Sequence, residues 1–397
     1  MKYELASSSW NKKELKAIQK VLKTNRTTMG EFVEKYEHEF AQFVGSNHCV
    51  MTNSGSSANL LATAALFYKK NSPLKQGDEV IVPAVSWPTT YYPLYQYGLK
   101  LKFVDIDLHT LNYDLDQLSQ AISDNTKMIV AVNLLGNPND FNSIFELIKN
   151  KNIIILEDNC ESLGAVFHNK QCGTFGILGT YSSFFSHHIS TMEGGMVVTD
   201  DEELYQILLC LRAHGWTRNL PKNNLITTPK SDNNFEESWR FVLPGFNFRP
   251  IEMMGAIGTE QLKKLPEFIR KRQENALYFN KVFLDNPYFI LQKETGISSW
   301  FGFSLVLKQE YNNRRNELTK YLIENNIEAR PIVAGNFTKN EVIKYFNYEI
   351  FGNIKNAEYI DKNGFFVGNH HFKINDKINY FYEVSNNYFE SNENKVK

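Results

Sequence analysis

The segment Ser182-Ser183-Phe184-Phe185-Ser186-His187-His188-Ile189-Ser190-Thr191-Met192-Glu193-Gly194-Gly195 gathers two adjacent imidazoles, flanking hydroxyls and a carboxylate, and ends in a glycine pair. An imidazole has an ordinary pKa of roughly 6.5, so near neutral pH it can either take or give a proton. Adjacent histidines are also common as surface or satisfied core residues, and on these residues alone both readings stand. The glycine pair, followed by Met196-Val197-Val198, predicts a turn between two strands. Loops between strand ends are where functional groups collect.

Four further clusters could do chemistry. Ile153-Ile154-Ile155-Leu156-Glu157-Asp158-Asn159 puts two carboxylates at the end of a buried-type strand, where Asp158 could pair with a buried cation such as a protonated ring nitrogen, or cap the next helix. Glu161 would face the same region if the chain turns helical there. Thr52-Asn53-Ser54-Gly55-Ser56-Ser57-Ala58 precedes a helical run, so the Gly55 and Ser56 amides could hold a phosphate, or Ser54 could simply cap the helix. Trp87, in Ser86-Trp87-Pro88, could stack on a flat ring or lie in the core. Pro244-Gly245-Phe246-Asn247-Phe248-Arg249-Pro250 offers an amide and a guanidinium, or only a helix-entry turn.

The elements that must position these groups follow from periodicity. Leu15, Ile18, Val21 and Leu22, then Phe32, Val33, Tyr36, Phe40 and Phe43, predict two opening amphipathic helices. Strand-like runs at Glu79–Val82, Leu101–Val104, Met128–Val132, Ile153–Leu156, Tyr181–Phe185 and Met196–Thr199 alternate with helical runs at Asn59–Phe67, Leu115–Ile122, Asp140–Lys149 and Glu202–Leu211. That alternation predicts an α/β fold with a mostly parallel sheet covered on both faces. A long helix from Ile251 to Glu274 precedes a change of pattern near Tyr278, with a strand at Phe303–Leu307 and a helix at Asn316–Ile323. We therefore expect a large domain over 1–275 and a smaller C-terminal α+β domain over 276–397. Lys222–Glu237 is expected to be a surface loop and Ser391–Lys397 to fray.

Composition narrows the function classes. The 397 residues are 42% hydrophobic and 22% charged, an ordinary globular balance. The formal charge of -1 gives no global field to attract nucleic acid or an anionic membrane. Cys49, Cys160, Cys172 and Cys210 show no close pairing, so neither a metal site nor an iron–sulfur cluster is expected. The polar N-terminal stretch has no apolar signal core, and no apolar run reaches the roughly 18 residues of a membrane span, so a cytoplasmic protein is expected.

Taken in order, these blocks resemble the DegT/StrS-type family of sugar-nucleotide aminotransferases and dehydratases. The resemblance also covers Arg212-Ala213-His214-Gly215, Ala329-Arg330-Pro331 with Gly335-Asn336, and Asn356-Ala357-Glu358. It implies the fold type I, aspartate-aminotransferase-like architecture that binds pyridoxal 5'-phosphate or pyridoxamine 5'-phosphate, and a homodimer with shared active sites. Transaminating members place a lysine six residues before the glutamate of the G-E-G-G block. Six residues before Glu193 this chain has His187. Imidazole has no primary amine and cannot form the Schiff base.

The exchange resembles the 3-dehydratases of dideoxysugar biosynthesis, of the kind that serve colitose in lipopolysaccharide O-antigen. It implies removal of the C3 hydroxyl from a GDP-linked 4-keto-6-deoxyhexose, with L-glutamate restoring the cofactor's amine. In that reading His187 moves the proton, His214 is a second acid, and Glu161 bonds the ring hydroxyl or positions the reacting centre. Asp158 holds the ring nitrogen protonated and Trp87 stacks on the ring. Gly55, Ser56 and Ser182 take the phosphate, with Asn247 reaching from the partner subunit. Arg249 and Arg330 could bind the sugar nucleotide or the amino donor's carboxylate. The competing readings are a sugar aminotransferase in which some other lysine forms the Schiff base, although Lys170, the nearest before the motif, is too far along the chain to be an obvious substitute, and a non-catalytic sugar-nucleotide-binding protein.

Overall fold

The computed structural model describes residues 1–393. The strands are β1 (His48–Thr52), β2 (Glu79–Pro83), β3 (Lys100–Val104), β4 (Thr126–Val132), β5 (Ile154–Asp158), a short hairpin of β6 (Val166–Phe167) and β7 (Lys170–Gln171), β8 (Leu178–Ser182), β9 (Gly195–Thr199), β10 (Phe289–Leu291), β11 (Gly302–Leu307), β12 (Ala329–Arg330), β13 (Tyr348–Ile350) and β14 (Gly364–Gly368). The helices are α1 (Lys12–Lys23), α2 (Glu31–Val44), α3 (Gly55–Leu66), α4 (Pro88–Gln96), α5 (Leu115–Ala121), α6 (Phe141–Leu147), α7 (Glu202–Arg212), α8 (Asn234–Glu237), α9 (Glu252–Phe283), α10 (Arg315–Glu324), α11 (Lys355–Asn363) and α12 (Asn375–Glu393).

Eight strands form one sheet in the order β1-β9-β8-β5-β4-β2-β3-β13. Every pairing from β8 to β13 is parallel, while β9 runs antiparallel to both β1 and β8. The expected mostly parallel sheet is therefore present, with one reversed strand. β2 and β8 are buried along their whole length, as the Val/Ile-rich runs imply when helices cover both faces. Aliphatic layers on the two sides supply the core, one built on α3 and α7 and the other on α5 and α6.

A second sheet, β10-β11-β14-β12, is antiparallel and packs an aromatic core that includes Phe279, Phe283, Phe303, Phe365, Phe381 and Phe389. Tyr3 joins this core from the far end of the chain. Its hydroxyl donates to Gly368 O at 2.5 Å, its N–H donates to Asn326 O at 2.9 Å, and its carbonyl accepts from Glu328 N at 2.9 Å.

Several elements differ from the periodicity reading. The expected strand Tyr181–Phe185 lies earlier, at Leu178–Ser182, because Ser183 leaves the sheet to close a loop: its N–H donates to Gly194 O at 2.9 Å, and its hydroxyl meets Thr191 Oγ1 at 2.5 Å. Gly179 hid the true strand from a pattern search. A Cβ there would lie 2.0 Å from Gly173 O, so the residue is small because two backbones touch. The helix expected to end at Glu274 continues to Phe283, since Phe279 and Phe283 carry its apolar stripe into the second core. Tyr278 thus lies within a helix. Lys222–Glu237 is a loop except for α8, and no helix among the described residues is long and apolar enough to cross a membrane. Of the stretch expected to fray, Ser391–Glu393 ends α12 and 394–397 lie outside the described residues.

Candidate active site

The sheet topology decides where the chemistry-bearing loops meet. β1, β2, β4, β5 and β8 share one direction, so their carboxyl ends lie along one edge, where open α/β sheets bind ligands. β9, reversed, begins at that edge, with Gly195 paired to both Thr52 and Ser182. The Thr52–Gly55 turn, the Pro83–Trp87 segment, the Asp158–Glu161 turn and the whole Ser183–Gly194 loop therefore open onto the same face.

Asp158 ends β5 with its side chain buried. Its Oδ2 accepts from Asn59 Nδ2 at 2.9 Å and from Thr90 Oγ1 at 2.7 Å, and its Oδ1 accepts from Cys160 N at 3.1 Å. A carboxylate offers about four acceptor positions, so one is left for a further donor. Strand alternation sends Glu157 to the other face, where it accepts from Gly173 N at 2.6 Å and Gly176 N at 2.7 Å. Burial raises Glu157 to about 7, and its place behind the sheet makes it a structural acid.

An anion cup sits at the start of α3. Ser54 caps the helix, its hydroxyl accepting from Ser57 N at 3.1 Å and its carbonyl from Ala58 N at 3.0 Å. Among the described residues the amides of Gly55 and Ser56 are left for an outside acceptor. A Cβ on Gly55 would lie 2.6 Å from Ser182 Cβ and 2.9 Å from its Oγ, so the glycine lets the Ser182 hydroxyl stand against the helix end. Asn53 Oδ1 is buried nearby in the chain without a partner. Trp87 precedes α4 as its N-cap residue and is 56% exposed, an open indole face at the end of β2.

The two histidines separate by their contacts. His188 is buried, and its Nε2 bonds the Ser299 carbonyl at 3.1 Å. His187 lies edge-on to Phe301 at 5.3 Å between ring centroids, and its Nδ1 is sealed without a partner. Burial, then the Arg272 guanidinium, hold His187 down at about 4, so at neutral pH it is the uncharged, basic form. Glu161 accepts from Leu135 N at 3.1 Å, and burial together with Asp158 raises it to about 7. The chain after Asp158 forms irregular turns, so Glu161 arrives by a turn and not by the helix considered from the sequence.

His214, Asn247 and Arg249 form a separate group. His214 sits at φ 60 in a turn whose Ala213 pairs with Asn247, and Arg249 Nε donates to Asn247 Oδ1 at 3.0 Å. The His214 ring and the Arg249 guanidinium both lie against Trp216, at 5.0 and 5.7 Å. This group meets the anion cup through Phe248 O, which accepts from Asn53 N at 3.0 Å. No hydrogen bond or ring contact joins His214 to His187 among the described residues. Arg330 is exposed on β12, and the segment after it docks beside Trp87, where Phe337 N donates to Ala84 O at 2.9 Å.

Sequence reading missed Asn59, Thr90, Leu135 and Phe301. Asn59 left a signal: a buried amide inside the apolar run of α3 needs a polar partner, and Thr180 Oγ1 donates to its Oδ1 at 2.5 Å. The other three act through tertiary contacts with no local pattern.

A family model described as the DegT/DnrJ/EryC1/StrS aminotransferase family matches residues 8–377. The chain is 61% identical over 383 residues to GDP-4-keto-6-deoxy-D-mannose 3-dehydratase of Escherichia coli O55:H7, covering 96% of this chain and 99% of that one. Three solved structures at 60% identity superpose closely. One is GDP-4-keto-6-deoxymannose 3-dehydratase with a trapped PLP-glutamate geminal diamine, with TM-score 0.95 over 96% of this chain and 99% of that one. Another is the same enzyme, ColD, with a histidine changed to asparagine and GDP-perosamine bound, with TM-score 0.95 over 96% and 100%. The third is ColD with a serine changed to asparagine and the histidine directly after it changed to lysine, with TM-score 0.94 over 95% and 100%.

Proposed function

The chain belongs to the DegT/DnrJ/EryC1/StrS aminotransferase family, and from that premise we propose that it is a pyridoxal-phosphate-dependent 3-dehydratase removing the C3 hydroxyl of GDP-4-keto-6-deoxy-D-mannose. The observation that carries this reading is the imidazole of His187 at the family's lysine position. In the Ser186-His187-His188 run only His187 directly follows a serine, the order of the serine–histidine pair altered in ColD. Its ring is uncharged at neutral pH and so open to a proton, whereas His188 is held by the Ser299 carbonyl.

The residues present fit the cofactor. Asp158 has an acceptor position to spare for a ring N–H, the Gly55–Ser182 contact leaves a cup for a phosphate, and Trp87 offers a stacking face. Bound here, pyridoxamine phosphate supplies the amine that meets the C4 ketone of the sugar and a ring that accepts electrons. Asp158 keeps the ring nitrogen protonated. Gly55, Ser56 and Ser182 hold the phosphate. His187 takes the proton from the carbon that bears the amine, and Glu161 orients the reacting centre. His214 or the now protonated His187 gives a proton to the leaving C3 oxygen. L-glutamate restores the amine, with His187 again carrying the proton.

Asn247 completes the phosphate site of the partner subunit in a homodimer, a role supported by its exposed position on a turn bonded to the cup. Arg249 and Arg330 take the sugar nucleotide or the glutamate carboxylate. Residues 1–275 act as the cofactor-binding domain and 276–397 as the smaller one, supported by the second aromatic core, which draws on residues from Ala276 onward and on Tyr3, although β13 joins the large sheet. The reaction runs in the cytoplasm, in keeping with four unpaired thiols. The aminotransferase alternative needs a lysine, and Lys170 Nζ instead lies 5.1 Å over the Phe175 ring.

The test is to incubate the protein with pyridoxal phosphate, L-glutamate and 4-keto-6-deoxy sugar nucleotides and follow loss of the 3-hydroxyl by mass, alongside borohydride reduction. A cofactor fixed to protein by borohydride would favour transamination. A His187→Asn protein that still dehydrates would overturn the assignment.

A further inference from the structure

Arg272 lies on α9 with its side chain buried and no carboxylate within ion-pair range among the described residues. Its Nη1 donates to three carbonyls, those of Trp300 at 3.3 Å, Phe301 at 3.1 Å and Asn369 at 3.0 Å, while its Nε has no partner. Asn369 answers by donating Nδ2 to Arg272 O and to Trp300 O, each at 3.0 Å. A buried, unpaired cation is costly, and such a group is retained where its charge or its reach is used.

The strap that Arg272 grips, Ser299-Trp300-Phe301, is strained and pinned from both sides. Trp300 has φ 48, and its neighbours bond to another left-handed turn, Leu135 at φ 53 and Gly136 at φ 93. Phe301 N donates to Leu135 O, and Ser299 N to Gly136 O, each at 3.0 Å. Bulky residues in this backbone region persist only where their surroundings over-determine them. The strap and the turn it bonds meet both proton-handling groups: Phe301 backs the His187 ring at 5.3 Å, and Leu135 N holds Glu161.

We propose that Arg272 is a positioning residue for the dehydration: its guanidinium fixes the Trp300–Phe301 peptides that back His187 and, as a buried cation bonded to the residue that packs on that imidazole, disfavours a second positive charge there in the resting enzyme. This rests on the reading of His187 as the base. The groups around the imidazole agree with the assignment. From its own loop comes His188, from α9 comes Arg272, the strap presents the uncharged Phe301, and beyond Arg272 lie His370 and His371. His188, His370 and His371 are likewise depressed, first by burial and then by Arg272.

The test uses the full-length protein with its nine histidines carbon-13 labelled at Cε1. The His187 resonance is assigned by its loss in His187→Asn and titrated by NMR, beside the pH profile of kcat/KM. The wild-type His187 midpoint is expected below pH 5. Arg272→Met is expected to raise it by at least one pH unit and to move the acid limb of kcat/KM the same way, whereas Arg272→Lys keeps the low midpoint and loses kcat. A wild-type midpoint near 6.5 would overturn the proposal whether or not the variants fold. So would a folded Arg272→Met protein with an unmoved midpoint, or Arg272→Lys shifting as far as Arg272→Met. Failure of the His187 assignment itself reads differently: the His187→Asn protein would dehydrate normally while the titration shifts remain.

Discussion

Replacing Asp158 by asparagine tests the electronic heart of the site while barely changing its shape. Three N–H or O–H donors converge on this carboxylate: Asn59 Nδ2 and Thr90 Oγ1 on one oxygen and Cys160 N on the other. An amide has one acceptor end and one donor end. Whichever way the introduced amide turns, its NH2 faces at least one of those donors, and stranding a buried donor costs about 1–3 kcal/mol. Thr90 can re-aim its hydroxyl towards Ser86 Oγ, 2.9 Å away, so the lower half of that range applies when the NH2 takes the Oδ2 side. The fourth acceptor position, which would hold the ring N–H, loses its charge, and a hydrogen bond to a charged group contributes about 1.5–3 kcal/mol. At 1.36 kcal/mol per tenfold, the dissociation constant for pyridoxal phosphate should rise by about 10- to 150-fold. Dehydration at saturating cofactor should fall further, because the ring no longer draws electrons. Binding is read by absorbance titration of the cofactor, and the cost of the stranded donor by thermal unfolding of the cofactor-free protein. An Asp158→Asn protein with wild-type affinity and turnover would refute the reasoning that Asp158 faces the ring nitrogen.

Other perturbations probe the remaining parts. His187→Asn should keep cofactor affinity within a few fold and lower dehydration by about 10²–10⁴, the range for loss of a general acid–base, as measured by kcat under saturating conditions. Gly55→Ala should weaken pyridoxal phosphate binding by tenfold or more, since its Cβ would lie 2.6 Å from Ser182 Cβ, while affinity for pyridoxal without the phosphate changes little. Acid stability should carry the mark of the partly buried imidazole. Folded His187 binds a proton only near pH 4 whereas an ordinary histidine does so at 6.5, so the unfolded chain takes up the proton first and stability falls as pH drops through that window. Relative to His187→Asn, the wild type should lose up to about 3 kcal/mol between pH 6.5 and 4 in denaturant titrations, and equal slopes would contradict the lowered proton affinity of that ring. Trp87→Ala should leave the fold intact, because the indole is 56% exposed, yet weaken cofactor binding by about 0.5–1.5 kcal/mol in the same absorbance titration.

The sequence made legible what repeats or punctuates. The alternation of Val/Ile runs with helical periods announced the parallel sheet, and the glycine pair at Gly194-Gly195 announced the turn into β9. Asp158, Gly55, Ser182, Trp87 and His187 were visible because each sits at a strand end, and the topology gathers strand ends on one edge. What escaped was set by contacts distant in sequence. β13 joins β3 although it follows from the second half of the chain, and its Glu349 is drawn there by Lys100 and by Lys102, whose Nζ lies 3.2 Å from it. β8 was displaced because a glycine needed for close backbone approach reads as a break in a strand pattern. The strap at Trp300 and the guanidinium of Arg272 were invisible for the same reason, since nothing within ten residues of either foretells the other.

The place of Tyr3 has a consequence for how the molecule is made. The carbonyl of Gly368 that receives the Tyr3 hydroxyl is synthesised 365 residues after Tyr3 itself. The segment around Tyr3 must wait unpaired until Asn326, Glu328 and Gly368 have been made, and only then can the second core close around it. Deleting Tyr3 and its neighbours would leave that aromatic core with an open slot.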